Sequence, residues 1–146
     1  MKIISGNILD INSGIVMQQV NCQNVMGSGV AKALYQKYPI IKEAFHKLSH
    51  DREPEDLLGC IQKIKINDNL TMVNSFTQLN YGRSNVKYTD EELLIENIIV
   101  LDYWSMIFKQ TAYVPYGIGC GLANGDWDVI QKALEETDIV VVKLED

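Results

Sequence analysis

One stretch constrains the fold of this chain more than any other, because an apolar strand pattern runs through a glycine-containing loop into a helix. Ile15, Val16 and Met17 open the strand, Gly27 and Gly29 lie in the loop, and apolar residues then recur every three to four positions. A helix start has unpartnered amides and the positive end of the helix dipole, so this loop can bind a phosphate or a carboxylate. The same pattern is also typical of a plain connection between a strand and a helix.

A second glycine-rich stretch follows a short predicted strand, Ala112-Tyr113-Val114-Pro115. Four glycines fall within nine residues here, in the segment 117–125. Backbone of this kind either turns sharply or approaches a ligand closely. Asp126 can cap the helix predicted over 127–136.

The remaining patterns alternate between strands and helices. Strands are predicted over 2–5, 60–66, 70–76 and 138–144, with 60–66 and 70–76 forming a hairpin. Helices are predicted over 40–48 and from Thr89, where Thr89 and Glu92 have the spacing of a capping box. An α/β sandwich with a ligand cleft between the two glycine loops is therefore predicted. The 146 residues are enough for one domain, 1–146.

Composition narrows the ligand class. With 13 basic and 19 acidic residues, the net charge of −6 argues against bulk nucleic-acid binding. An anionic ligand would then be held by local amides and dipoles. Cys22, Cys60 and Cys120 lack zinc-site spacing, so no metal is expected and the thiols should be reduced. No apolar run reaches membrane-spanning length, and the first apolar segment is too short for a signal peptide; we expect a soluble, cytoplasmic protein without a membrane partner.

Several polar side chains have two readings. Asn7 could be a turn residue, which is the favoured interpretation, or could hydrogen-bond a ligand. Arg83 could neutralise a ligand phosphate or be solvated. His46 and His50 lack a nucleophile arrangement and are predicted to be surface residues.

Three segments carry a resemblance to a known family. They are Asn21 through Val30, Gly119-Cys120-Gly121-Leu122 through Trp127, and Gly6-Asn7-Ile8. Together they resemble the macro domain family of ADP-ribose binders and hydrolases. The likeness covers nearly the whole chain in order, including the Phe76-Thr77-Gln78 and Tyr81-Gly82-Arg83 segments. It is greatest to the short branch that includes a yeast ADP-ribose-1″-phosphate phosphatase, a terminal ADP-ribose protein hydrolase and compact bacterial and phage proteins.

The resemblance implies a three-layer α/β/α sandwich with a central mixed sheet and an ADP-ribose ligand, with no cofactor. An ADP-ribosylated macromolecule is the implied larger partner. Asn7 takes the place of the aspartate that receives the adenine amino group, Asn21 lies near the distal ribose, and both glycine loops surround the diphosphate. The implied ligand-binding residues are Asn7, Ile8, Gln18, Asn21, Gly27, Ser28, Gly29, Val30, Thr77, Gly119, Cys120, Gly121 and Leu122.

The chain departs from the family at positions that concern chemistry. Gln78 and Ala123 stand where the terminal hydrolases have a lysine and an aspartate, and Gln18 replaces a histidine. Val142 and Lys143 occupy the region of an adenine-stacking aromatic residue. Asn21 and Asp126 are therefore the candidate catalytic residues, although helix capping explains Asp126 equally well.

Two functions follow from the resemblance. The first is hydrolysis of an ADP-ribose derivative, either as an ADP-ribose-1″-phosphate phosphatase or as an ADP-ribosyl hydrolase. Its alternative is a binding module that recognises ADP-ribose or a related nucleotide without turnover, which the missing lysine and histidine favour. We rank hydrolysis slightly ahead, because oriented water and substrate groups can replace a strong side-chain base.

Overall fold

The computed structural model describes residues 1–145 and is built on one six-stranded sheet. The strands are β1 (Lys2–Ser5), β2 (Gly14–Asn21), β3 (Ile61–Lys65), β4 (Leu70–Gln78), β5 (Ala112–Pro115) and β6 (Val140–Lys143). Their spatial order is β1-β6-β5-β2-β4-β3, with β3 antiparallel to β4 and all other neighbours parallel. The sheet is therefore mixed, as the family resemblance implied.

Within the described residues, five α-helices cover the sheet. They are α1 (Gly29–Lys37), α2 (Ile40–His50), α3 (Pro54–Leu57), α4 (Glu91–Phe108) and α5 (Trp127–Glu135), and a short 3-10 helix spans Ile8–Asp10. No helix within residues 1–145 combines the length and the apolar character needed to cross a bilayer.

The two faces of the sheet form two separate cores because side chains alternate along each strand. Val16 and Phe76 pack with residues of α1, α2 and α3, and the ring of Phe76 stacks on that of Phe45 at 5.7 Å. Met17 and Val73 pack on the other face with α4 and α5. The result is the predicted three-layer α/β/α sandwich.

The start of α4 differs from the prediction. Asp90, not Thr89, is the N-cap residue, and its carboxylate accepts from the amide of Leu93 at 3.1 Å. Thr89 is buried and hydrogen-bonds to other elements. The prediction of a capping box at Thr89 was wrong, because Asp at the next position caps equally well. Thr89 is therefore free to make a tertiary contact.

Candidate functional site

A cleft of about 690 Å³ lies at the carboxyl ends of β2 and β5. These are neighbouring parallel strands, so the loops that follow them lie side by side. Open α/β sheets place ligand sites at such strand ends. The predicted site residues that line the cleft are Gln18, Asn21, Gly27, Ser28, Gly29, Val30, Gly119, Gly121 and Leu122.

The charge of the cleft is unlike that of the whole chain. Among the described residues that line it, Arg83 is the one formally charged side chain, and no carboxylate is present. The chain as a whole has a net charge of −6. An anion entering the cleft therefore meets one cation and backbone dipoles, with the acidic residues elsewhere.

The first glycine loop is shaped by Asn21 at the end of β2. The Asn21 side chain accepts from the amide of Gln23 at 3.0 Å and donates to the carbonyl oxygen of Val25 at 2.8 Å. Asn24 has a positive φ of 60°, and its side chain lies 2.6 Å from Nδ1 of His46 on α2. Burial and the nearby Lys42 ammonium lower the pKa of His46, which is half buried and not the plain surface residue predicted. Side chains on two elements thus fix the path of this loop.

Both glycine loops contain backbone amides that are free to donate a hydrogen bond to a ligand. In the part of the chain that the structure describes, the backbone N–H groups of Gly27, Ser28, Gly121 and Leu122 donate to no protein acceptor. Ser28 is the N-cap residue of α1, and its hydroxyl makes no capping hydrogen bond. These amides and the hydroxyl are donors that a ligand can use.

The second glycine loop is closed by hydrogen bonds to a single carbonyl. The oxygen of Gly119 accepts from the amide of Gly125 at 2.9 Å and from the hydroxyl of Thr89 at 2.6 Å. Gly119 has a φ of +74°, and a Cβ there would lie 2.9 Å from Leu94 and 3.0 Å from Gln19. Glycine is therefore required at 119 for both conformation and space.

The segment before α4 holds the rest of the second loop. The carbonyl oxygen of Ala123 accepts from the amides of Tyr88 and Thr89, at 2.8 and 3.2 Å. The Asn124 side chain donates to the carbonyls of Ser84 and Val86. Each of these hydrogen bonds has a main-chain carbonyl oxygen as its acceptor. The contacts therefore depend more on the path of the loop than on the identity of its side chains.

The side chain of Gln19 is the centre of a hydrogen-bond network behind the cleft, which we call the Gln19 hub. Its Nε2 donates to Oγ1 of Thr89 at 2.8 Å and to Oε1 of Gln78 at 3.0 Å. Its Oε1 accepts from the hydroxyl of Thr77 at 2.8 Å. All hydrogen-bonding groups at the end of this side chain are directed at β4 or the start of α4, so Gln19 ties three elements to the rim of the cleft.

The hydrogen-bond network of the Gln19 hub continues into the core on the side of the sheet that α4 covers. Asn97 donates to Oγ of Ser75 at 2.9 Å, and Ser75 lies 3.2 Å from the hydroxyl of Thr77. Since the Thr77 proton is directed at Gln19, Ser75 is the donor to Thr77. A directed chain of hydrogen bonds therefore runs from the middle of α4 to the carbonyl of Gly119.

Five predicted site residues do not line the cleft. Asn7 accepts from the amide of Leu9 and caps the 3-10 helix, while Ile8 and Thr77 are buried. The Cys120 thiol donates to the carbonyl of Ile118 at 3.3 Å. Asp126 caps α5 by accepting from the amide of Asp128 at 3.0 Å. The ligand roles of these five residues stay predictions.

Glu91 fixes Asp126 at the foot of the second loop. A carboxylate oxygen of Glu91 accepts from the backbone amide of Asp126 at 2.6 Å, and the other oxygen lies 3.0 Å from Nζ of Lys87. Both contacts favour the ionised form, and they hold the pKa of Glu91 below its usual range.

Burial, with the Glu91 and Asp126 carboxylates adding to it, raises the pKa of Cys120 to about 11. Its thiol is neutral at pH 7 and is a poor nucleophile.

Gln19, Tyr81 and Tyr116 are among the lining residues that sequence reasoning left out of the predicted site. Gln19 alternates with Gln18 along β2 and was not assigned to the site, because the resemblance implied a role for the position of Gln18 and none for that of Gln19. Tyr81 and Tyr116 line the cleft as exposed aromatic residues, and Lys143 lies 4.5 Å over the Tyr116 ring. Proximity of Tyr116 to a glycine loop was the one signal that could have singled it out.

Several known proteins resemble this chain in sequence or in fold. No protein-family model matches the chain. An uncharacterized 17.5 kDa protein from the tk-vs intergenic region of Enterobacteria phage T4 is 30% identical over 156 residues, covering 99% of this chain and 97% of the phage protein. The macrodomain of Mycobacterium tuberculosis DarG superposes with a TM-score of 0.74 at 21% identity, covering 99% and 97% of the two chains. Thermosipho africanus DarTG, solved in complex with ADP-ribose, superposes with a TM-score of 0.73 at 15% identity, covering 99% of this chain and 42% of that one.

The sheet order, the three layers and the cleft at the ends of β2 and β5 define the macrodomain fold, which these superpositions confirm. Within that fold, the chain belongs to the same protein family as the 17.5 kDa protein of phage T4.

Proposed function

We propose that this protein binds ADP-ribose, or a closely related nucleotide diphosphate, in the cleft between its two glycine loops. The diphosphate accepts hydrogen bonds from amides of both loops, including those of Ser28 and Gly121. The distal ribose lies beside Asn21. Arg83, at the rim, supplies the one formal positive charge.

One observation carries the proposal. Two loops with free amides meet at adjacent parallel strand ends, on a cleft whose described lining residues include no carboxylate. On a chain with a net charge of −6, this is the arrangement that lets backbone dipoles hold a diphosphate. The volume of about 690 Å³ suits a ligand of nucleotide size.

The Thermosipho africanus structure supports the choice of ligand, since that protein shares the fold and was solved with ADP-ribose. Tyr81 and Tyr116 offer ring surface at the rim for a base or ribose. They would compensate for the aromatic residue that the sequence lacks at Val142 and Lys143, where Val142 is buried.

Hydrolysis of an ADP-ribose derivative is the second candidate. Asn21 lines the cleft, whereas the Asp126 carboxylate is engaged at the start of α5. Among the described lining residues, none is Asp, Glu, His or Lys, so no ordinary side-chain base faces the ligand. We therefore place binding first and hydrolysis through an oriented water second, which reverses the order suggested by the sequence.

Titration calorimetry with ADP-ribose, AMP and NAD tests the binding proposal. We expect ADP-ribose to bind at least about tenfold more tightly than AMP, because AMP lacks the second phosphate and the distal ribose. Gly121→Glu, which puts an anion beside the diphosphate amides, should abolish binding, and Gly121→Ala is its matched control. A wild-type protein that binds none of the three ligands would refute the proposal.

The same preparations decide between the two candidates. Incubation with ADP-ribose-1″-phosphate and with ADP-ribosylated protein, followed by assay of released phosphate and ADP-ribose, detects turnover. Binding without release supports a recognition module. Release that Asn21→Ala abolishes and Asp126→Asn preserves would instead favour hydrolysis through oriented water.

A further inference from the structure

Helix α4 carries large apolar residues on its outer side as well as on the side that packs on the sheet. Leu94, Ile98 and Leu101 are fully buried against the core that includes β4 and α5. Helices that cover a sheet normally carry polar residues on the opposite side, and a helix that is apolar all round is normally buried. The outer side of α4 therefore has the composition of a contact surface.

Four large residues form a stripe on that outer side. Ile99, Tyr103, Met106 and Ile107 are 59%, 57%, 58% and 51% exposed. Their spacing of i, i+4, i+7 and i+8 puts them on one helix face. We call these four residues the α4 stripe. No α4 residue is among the described residues that line the cleft, so the stripe is separate from the proposed ligand site.

The two ends of the stripe carry opposite charges. Glu92 and Glu96 are exposed at its N-terminal end. Lys109 is exposed and follows the C-terminal end of the helix. Two copies of this helix in antiparallel contact bring the acidic end of each beside the basic end of the other.

We propose that the α4 stripe is the interface of a homodimer, in which two α4 helices pack antiparallel about a two-fold axis near Tyr103. In this arrangement Ile99 of each copy packs against Ile107 of the second copy, and Glu96 lies near Lys109 of the second copy. Within α4, the residues Glu92, Glu96, Ile99, Tyr103 and Met106 recur at alternating steps of four and three. That spacing is the seam of two packed helices.

The size of the stripe sets the strength of the dimer. Four half-exposed large side chains present on the order of 400 Å² of surface per copy, before polar neighbours are counted. When the polar residues around each stripe are included, a dimer would bury roughly 1,000 Å² in total, near the lower limit for a specific interface. The dimer should therefore dissociate on dilution, and its interface should leave both clefts open to ligand.

Sedimentation velocity over a range of protein concentrations tests the proposal on the whole chain. We expect the mass to rise from the monomer value of 16.5 kDa toward twice that value as the concentration increases. Ile99→Glu should raise the dimer dissociation constant by about 100-fold or more, because each dimer would contain two buried charges. Ile40→Glu is the matched control, since Ile40 is 46% exposed on α2, which packs on the other face of the sheet.

A charge exchange makes the test specific for antiparallel packing. Glu96→Lys should weaken the dimer, because Lys would face Lys109 of the second copy, and adding Lys109→Glu should restore it. Circular dichroism checks that each variant is folded. A wild-type protein that stays monomeric up to millimolar concentration would overturn the proposal, as would a dimer that Ile99→Glu leaves intact or a double variant that is no tighter than Glu96→Lys.

Discussion

The hydroxyl of Thr89 donates a hydrogen bond of 2.6 Å to the carbonyl oxygen of Gly119. The first residue immediately precedes the cap of α4, and the second lies in the glycine loop that follows β5. Because Thr89 also accepts from Gln19 of β2, one hydroxyl joins three elements behind the cleft. The glycine loop is therefore positioned by the interior of the protein and not only by its own sequence.

Thr89→Val should destabilise the protein and weaken ligand binding together. Valine keeps the shape but leaves the Gln19 amide without one buried acceptor and the Gly119 carbonyl without one donor. We expect a loss of about 1–3 kcal/mol in the free energy of unfolding, measured by urea denaturation. Thr111→Val, at an exposed threonine with no side-chain hydrogen bond among the described residues, is the control and should change little. An unchanged unfolding free energy for Thr89→Val would mean that the hub does not stabilise the fold.

Glycine substitutions in the second loop should separate folding from binding. Gly119→Ala forces a Cβ into a left-handed backbone within 3.0 Å of Leu94 and Gln19, and we expect about 1–2 kcal/mol of destabilisation. At Gly121 a Cβ meets nothing within 4 Å, so Gly121→Ala should fold normally. Thermal unfolding and ADP-ribose titration of both variants measure the contrast. Equal stability of the two variants would contradict the geometric argument.

Asn21→Ala should loosen the first loop and reduce affinity for ADP-ribose by about tenfold, since it removes two hydrogen bonds that shape the loop. Asn67→Ala is a matched control. Asn67 also organises a turn with its side chain, accepting from the amides of Asn69 and Leu70, but it lies in the β3–β4 hairpin. The decisive quantity is the dissociation constant from calorimetry, and an equal loss in both variants would assign the effect to general destabilisation.

Glu91 should make the protein sensitive to acid. Its folded pKa lies below the usual value of 4.5, chiefly because the amide of Asp126 donates to it and secondly because Lys87 does. The resulting stabilisation is present above pH 4.5 and is lost as the pH falls through the folded pKa. Glu91→Gln should therefore reduce the difference in unfolding free energy between pH 7 and acidic pH.

Urea denaturation of Glu91→Gln at a series of pH values measures this effect. Glu92→Gln is the control, because the Glu92 side chain is exposed and makes no ion pair or hydrogen bond among the described residues. If both variants follow the wild-type pH profile, the contact between Glu91 and Asp126 does not contribute to stability.

The sequence predicted the strands, most helices and both glycine loops, because apolar periodicity and glycine placement are local signals. It could not predict Thr89 as a tertiary link, since Thr-x-x-Glu and Asp at the next position are equally good capping signals. It could not predict the role of Gln19 for a related reason, because the partners of Gln19 lie 58 to 70 residues away along the chain. It also suggested a base at Asp126, where the structure shows a carboxylate engaged in capping α5.

By itself, the sequence determined an α/β chain with two glycine loops at strand ends, because backbone conformation near glycine and the burial of alternating apolar residues depend on neighbouring positions. Only the tertiary structure decided which side chains surround the cleft and what lies outside it. Parallel pairing of β2 with β5 brings the two loops together, and the packing of α4 on the sheet leaves the α4 stripe uncovered. These outcomes depend on contacts between distant residues, and such contacts exist only once the sheet has formed.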